Sequence, residues 1–168
     1  MTTLADSYTI KLKVGNFPGP EQLNPYRDAI RKLENQDNKK NDSGFDLYVP
    51  ETVVIPPGEI KLINMNVRCA VTKNTKPSPY YLYARSSVSK RGIILTNSVG
   101  IIDSGYRGCL MAAFYNTKKK PVTINQGDRI VQICMPDLSY DFNVQLLEHP
   151  QVLDSTERGE GGLGSTGK

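Results

Sequence analysis

Tryptophan is absent from this 168-residue chain, histidine occurs once and cysteine three times. Each shortage excludes a chemistry. His149, the sole imidazole, stands beside Pro150 in a polar segment, so a histidine-based nucleophilic triad has no candidate and a surface role is expected. Cys69, Cys109 and Cys134 are odd in number, far apart and set in apolar segments, which argues against a disulfide framework or a zinc site and for a reducing compartment. No segment nears the roughly 20 apolar residues of a membrane-spanning helix, and MTTLADSYTIKLKV at the start lacks the charged-then-apolar layout of a secretion leader. A soluble intracellular protein, of cytoplasm or nucleus, with no membrane partner is expected. Neither sign of charge dominates, with 21 Lys+Arg against 17 Asp+Glu and a net charge of +4. The basic run Lys118, Lys119 and Lys120, followed by Pro121, reads as a solvated hairpin turn. No basic stripe carries interleaved aromatics, so nucleic acid is not an expected partner, whereas anionic small molecules are admissible.

What is present is a β pattern of one-domain length. Tyr8, Ile10, Leu12 and Val14 alternate with polar residues, as in a half-buried strand. FDLYV, TVVI, EIKLINMNVRCAV, YYLYA, CLMAAFY, PVTI, RIVQICM and FNVQLL are further short apolar or alternating runs, separated by turn sequences such as PPG (Pro56 to Gly58) and KPSP (Lys76 to Pro79). One helix interrupts them. Asn24 can cap it, Pro25 suits its first turn, and Leu23, Tyr26, Ile30 and Leu33 recur at helical spacing, predicting a helix over 25–35. The expectation is an all-β fold, a jelly-roll-like barrel or sandwich over residues 1–150, with a helical insertion at about 19–42 and a flexible glycine-rich C-terminal arm over 151–168.

The chemistry centres on carboxylates and glycines. Asp46 lies inside an apolar strand and Asp103 between Ile102 and Ser104, where an unpaired buried charge would be costly. Each could simply cap a turn. Gly100, Gly105 and Gly108 around Asp103, with Tyr106 and Arg107, describe a tight hairpin where backbone approaches a ligand closely. Arg85, Ser86 and Ser87 in a row make a phosphate clamp if backbone N–H groups join them. The end of the chain, RGEGGLGSTGK, matches the opening of a phosphate-binding loop from Gly162 to Lys168, but that loop needs a strand before it and a helix after it, and no helix follows here.

Taken in order, SGFDLYVPE (Ser43 to Glu51), YARSSVSKRGI (Tyr83 to Ile93), NSVGIIDSGYRG (Asn97 to Gly108), QGDRIVQI (Gln126 to Ile133) and RGEGGLGSTG (Arg158 to Gly167) resemble the five motifs of the trimeric deoxyuridine triphosphatases. The third and fifth are the specific ones. The resemblance implies a homotrimer with three sites at subunit interfaces, and Mg²⁺-dependent cleavage of dUTP to dUMP and pyrophosphate, which limits uracil in DNA and supplies dUMP for thymidylate synthesis. It also implies that the arm crosses to another subunit's site and closes over the nucleotide.

Residue by residue, the resemblance makes Asp103 the base that deprotonates the attacking water, with Gln132 near that water. It gives Tyr106 the deoxyribose, packed so that no 2′-hydroxyl fits. Asn97 and the backbone after it, including Gly100 and Ile102, would read uracil. Arg85, Ser86 and Ser87 would hold the triphosphate from a neighbouring subunit. In the arm, Arg158, Ser165 and Thr166 would contact the γ-phosphate, with Gly162, Leu163 and Gly164 closing over the site. Asp46 would act on the metal through a water, the ion itself sitting on triphosphate oxygens. Three departures stand out: Ser87 where glycine is common, the insertion, and Leu163 where the family usually has phenylalanine. The dCTP deaminases share the fold and an Arg-Ser-Ser motif, but their acid/base glutamate falls at Ala113 here, which cannot transfer a proton. A non-catalytic nucleotide-sensing trimer is the other alternative.

Overall fold

Strand β1 (Tyr8–Val14) buries alternate residues, Tyr8, Ile10, Leu12 and Val14, as its sequence period requires. The computed structural model describes residues 7–15, 23–35 and 42–161. After β1 come helix α1 (Asn24–Glu34) and strands β2 (Gly44–Tyr48), β3 (Val53–Ile55), β4 (Ile60–Lys73), β5 (Lys76–Ser78) and β6 (Tyr80–Ala84). Next are the short helix α2 (Val88–Arg91) and strands β7 (Ile93–Leu95), β8 (Val99–Ile102), β9 (Cys109–Asn116), β10 (Val122–Ile124), β11 (Arg129–Cys134) and β12 (Phe142–Leu146).

The strands form a six-stranded sheet ordered β12-β1-β4-β9-β7 with β5 paired to β4, a four-stranded sheet ordered β2-β11-β6-β8, and a β3-β10 ribbon. Side chains from all three join one apolar cluster, including Leu12, Met65, Leu82, Phe114, Ile124 and Ile133. The fold is all-β and jelly-roll-like, as expected. Among the described residues no helix is long and apolar enough to cross a membrane.

Several local expectations change. KPSP is not a turn: Lys76–Ser78 pairs with β4 through a tight turn at Asn74 and Thr75, both at positive φ (49° and 70°), and Pro77 is tolerated because β5 is an edge strand. The lysine run bridges β9 and β10, which lie in different sheets, so it is a crossover and not a hairpin. Buried Asn116 holds that crossover, its amide donating to the carbonyls of Ile55 and Lys120 at 2.9 Å each. The glycine-rich stretch around Asp103 likewise joins β8 of one sheet to β9 of another.

Helix α1 starts one residue earlier than expected, with Leu23 at the N-cap position and no side-chain cap. Asn24 instead accepts a hydrogen bond from Arg27 at 3.3 Å. Tyr26 carries the docking: its buried ring lies 6.4 Å from Phe45, stacked, and 5.0 Å from Tyr48, edge-on. Burial of such a ring is worth about 2 kcal/mol. Leu33, assigned to the same face by period, is exposed.

Candidate active site

Antiparallel pairing brings three distant segments into one row. Gln132 of β11 sits opposite Asp46 of β2 on one side and Tyr83 of β6 on the other. Side chains in register across adjacent strands share a face, and these three line a cavity of about 470 Å³ together with Arg85, Gly44 and Cys134. Asp46 is the electrostatic centre of this cavity. Its carboxylate accepts from Arg85 Nε at 2.7 Å and from Arg129 Nη1 at 3.1 Å. Burial pushes the Asp46 carboxyl above its usual range, and the two guanidiniums pull it back in part. Burial also raises the Cys134 thiol to about 11, so it is uncharged at neutral pH.

Gly44 leaves room for the Gln132 side chain, since a Cβ there would stand 2.3 Å from Gln132 Oε1 and push the amide aside. Gly44 and Arg129 fall inside the stretches SGFDLYVPE and QGDRIVQI without being singled out there, because only strand pairing reveals what each faces. Ser86 and Ser87 follow Arg85 into α2, where the Ser86 carbonyl accepts from Ser89 Oγ at 2.7 Å. Ser87 has φ of −64°, so replacing glycine there carries no backbone strain. Arg91 at the end of α2 pairs with Asp128 at 2.5 Å, tying the serine segment to the turn before β11.

The second cluster lies at the other end of strand pair β6–β8. Ile102 is opposite Tyr80, and Val99 is opposite Tyr83. Asp103 therefore leaves the sheet at one end of the pair and Arg85 at the other, separated by about 15–20 Å of strand at 3.3 Å per residue. Gly100 packs against Leu82, where a Cβ would stand 3.1 Å from the leucine Cβ and 3.5 Å from its carbonyl oxygen. Asn97 is within the turn that precedes β8, where the N–H of Ser98 donates to the Leu95 carbonyl at 3.0 Å. Asp103 opens a turn closed by the Tyr106 N–H at 3.0 Å, and its carboxylate is largely exposed. Tyr106 donates its hydroxyl to the Cys109 carbonyl at 2.9 Å, and its ring lies over Gly108, whose missing Cβ makes the room.

Residues 154–160 are strapped to this turn by their own chain. The guanidinium of Arg107, side chain 10% exposed, donates to the carbonyls of Ser104 and Tyr106 at 2.9 Å, to the Asp154 carbonyl at 3.1 Å and to its carboxylate at 3.3 Å. The N–H of Arg107 donates to the Gly159 carbonyl at 2.7 Å. Thr156 Oγ1 donates to the Gly105 carbonyl, Glu160 pairs with Arg68 at 2.7 Å, and Arg158 Nη2 stands 3.4 Å from Asp103. In the sequence Arg107 is only a neighbour of Asp103; its organising role follows from a strap roughly fifty residues away. Gly162, Leu163, Gly164, Ser165 and Thr166 lie outside the described residues.

Among the described residues no group of three or more His, Cys, Asp or Glu could hold a metal ion. Asp46 fits the lesser task of touching, through water, an ion carried by a ligand's phosphates, since Mg²⁺ keeps several waters and relies on substrate oxygens.

A protein-family model described as dUTPase matches residues 34–167. The deoxyuridine 5'-triphosphate nucleotidohydrolase of Mycobacterium marinum is 38% identical over 135 residues, covering 75% of this chain and 82% of that protein. The Pol polyprotein of caprine arthritis encephalitis virus is 38% identical over 130 residues, and there the match spans 77% of this chain but only 11% of the polyprotein. The crystal structure of dUTPase from Streptococcus mutans superposes with a TM-score of 0.51 at 32% identity, over 56% of this chain and 77% of that one.

Proposed function

The chain belongs to the dUTPase family, and on that premise we propose that it hydrolyses dUTP to dUMP and pyrophosphate at a site shared between copies in a homotrimer. The observation that carries this reading is the division of the candidate residues. Asp46, Arg85 and Gln132 line one cavity, while Asp103 and Tyr106 stand at the far end of the β6–β8 pair. A neighbouring copy is the direct way to bring an exposed carboxylate to a second chain's guanidinium cluster.

In the proposed reaction Asp103 accepts a proton from water as the water oxygen attacks the α-phosphorus. The bond from that phosphorus to the bridging oxygen breaks, and pyrophosphate leaves with the electron pair. Arg85, Ser86 and Ser87 hold the phosphates, Gln132 orients the water, and Asn97 with the backbone at Gly100 and Ile102 reads uracil. Tyr106, already fixed through Cys109, presents a ring that leaves no space for a 2′-hydroxyl. Bound Mg²⁺ on the triphosphate, contacted through water by Asp46, would neutralise charge on the phosphate oxygens. Arg158 is paired with Asp103 here; a terminal phosphate competing for that guanidinium would free the carboxylate to work as a base. The product dUMP is then available for thymidylate synthesis, and uracil is kept out of DNA.

Incubation with dUTP, dCTP and UTP, following pyrophosphate release and the identity of the base, tests the reading. Release from dUTP alone, with uracil unchanged, is expected. Conversion of the cytosine base in dCTP would assign the chain to deamination, and no turnover of any of the three would leave a nucleotide-sensing protein.

A further inference from the structure

Helix α1 precedes the family match, which begins at Glu34, the last residue of the helix. The helix lies against β12, and its buried Tyr26 reaches across to the short strand β2. The Tyr26 ring packs on Phe45 and Tyr48, which bracket Asp46 in β2. Opposite them β11 carries a bulge: Arg129 pairs with Tyr48 and Val131 with Leu47, so Ile130 is an extra residue. Bulges re-aim side chains, and they leave backbone groups needing other partners. Here the N–H of Tyr48 donates to the Tyr26 hydroxyl at 3.1 Å, and the residue paired with Tyr48, Arg129, reaches the Asp46 carboxylate. The helix is held from outside by Arg27, which donates to both oxygens of Glu148 at 3.0 and 2.8 Å.

We propose that α1 is a positioning element for the pyrophosphate-binding half of the site, with Tyr26 as the residue that acts. By fixing β2 on both sides of Asp46 and satisfying the backbone at the bulge, Tyr26 sets the carboxylate that spaces the Arg85 and Arg129 guanidiniums. Two guanidiniums held apart by one carboxylate suit a ligand with several anionic oxygens, and inorganic pyrophosphate is the simplest such ligand. Tyr26 touches no substrate and works through Asp46. The inference rests on the dUTP-hydrolysing reading and adds a part that the family match does not include.

The test uses the full chain with Tyr26→Phe, which keeps the ring and removes the hydroxyl. Calorimetric binding of inorganic pyrophosphate and of 2′-deoxyuridine is measured for parent and variant, with dUTP turnover and Tm recorded for both. Pyrophosphate should bind roughly threefold to tenfold more weakly to the variant, the size expected for one lost hydrogen bond, and KM for dUTP should rise in step. Deoxyuridine binding should be unchanged. A lower Tm with pyrophosphate binding intact would make Tyr26 a packing residue only, and equal weakening of both ligands would mean general loosening; either overturns the proposal. If Tyr26→Phe does not fold, Arg27→Ala loosens the same helix from its exposed side, and unchanged pyrophosphate binding there overturns it equally. A parent protein that fails to turn over dUTP sinks the functional reading, whereas an active parent with an unaffected variant sinks this inference alone.

Discussion

Asp103 and Asp46 show how differently one residue type is placed by its surroundings. Asp46 is hemmed in by two guanidiniums and largely removed from water, so it organises other charges. Asp103 is largely exposed at a turn with one arginine paired to it, and in the proposed reaction a phosphate that takes up that guanidinium frees the carboxylate for water. Replacing Asp103 by asparagine keeps the shape and removes the proton acceptor. Turnover of dUTP should fall by about 10²–10⁴, the usual contribution of a general base, while a non-hydrolysable dUTP analogue still binds. Steady-state kinetics and calorimetry on Asp103→Asn check this, and a variant within a few-fold of the parent would remove Asp103 from the mechanism.

At the scale of elements, the site depends on ties between segments that no strand ladder joins. Arg107 ties residues 154–160 to the turn after β8 by donating to several carbonyls at once. Lysine keeps the charge but lacks the planar fork that reaches these acceptors together. Arg107→Lys should lower stability by about 1–2 kcal/mol in denaturant unfolding, because part-buried carbonyls lose a shared charged donor, and should speed tryptic cleavage at Arg158. Equal cleavage rates would mean the strap is held elsewhere. The second tie is Arg91–Asp128. The hydrogen bond from Arg91, aided by the Asn125 N–H, holds the Asp128 carboxyl below its ordinary value. A depressed folded pKa contributes stability above the unfolded value of about 3.9 and loses it as pH falls through the folded one. Asp128→Asn should therefore have a lower Tm than the parent at pH 6, and the gap should close on acidification towards pH 3. A gap that persists undiminished at the lowest pH would show that the ion pair contributes nothing.

For the whole molecule, the question is how the two clusters meet. If each site combines Arg85 of one copy with Asp103 of another, then Arg85→Ala and Asp103→Asn proteins are each inactive but complementary. Unfolding and refolding them together should regenerate sites carrying both native residues, about a quarter of the total in randomly mixed cyclic oligomers. Recovered activity, with mixed oligomers verified by native mass spectrometry, supports the shared site. Verified mixing without recovery would confine the site to one chain.

Alternation of apolar residues is enough to read most strands, because a half-buried strand must repeat every two residues. Strands β7 and β8, of three and four residues, lie inside stretches whose glycines, serines and charged residues mask them, and Pro77 disguises β5 as a turn. The motifs likewise single out Asp46, Arg85, Asp103, Gln132 and Arg158 as candidate site residues, since their residue types and order carry the family resemblance. The sequence does not determine how these residues are grouped. That Gln132 faces Asp46, that Arg129 joins it through a bulge, that Tyr26 of α1 accepts from the Tyr48 N–H, and that Arg158 lies against Asp103 of its own chain all depend on pairings between segments far apart in sequence. Local sequence encodes the period of each strand, but the partner and register of a strand are set by the packing of the whole core. Only the tertiary structure could decide them.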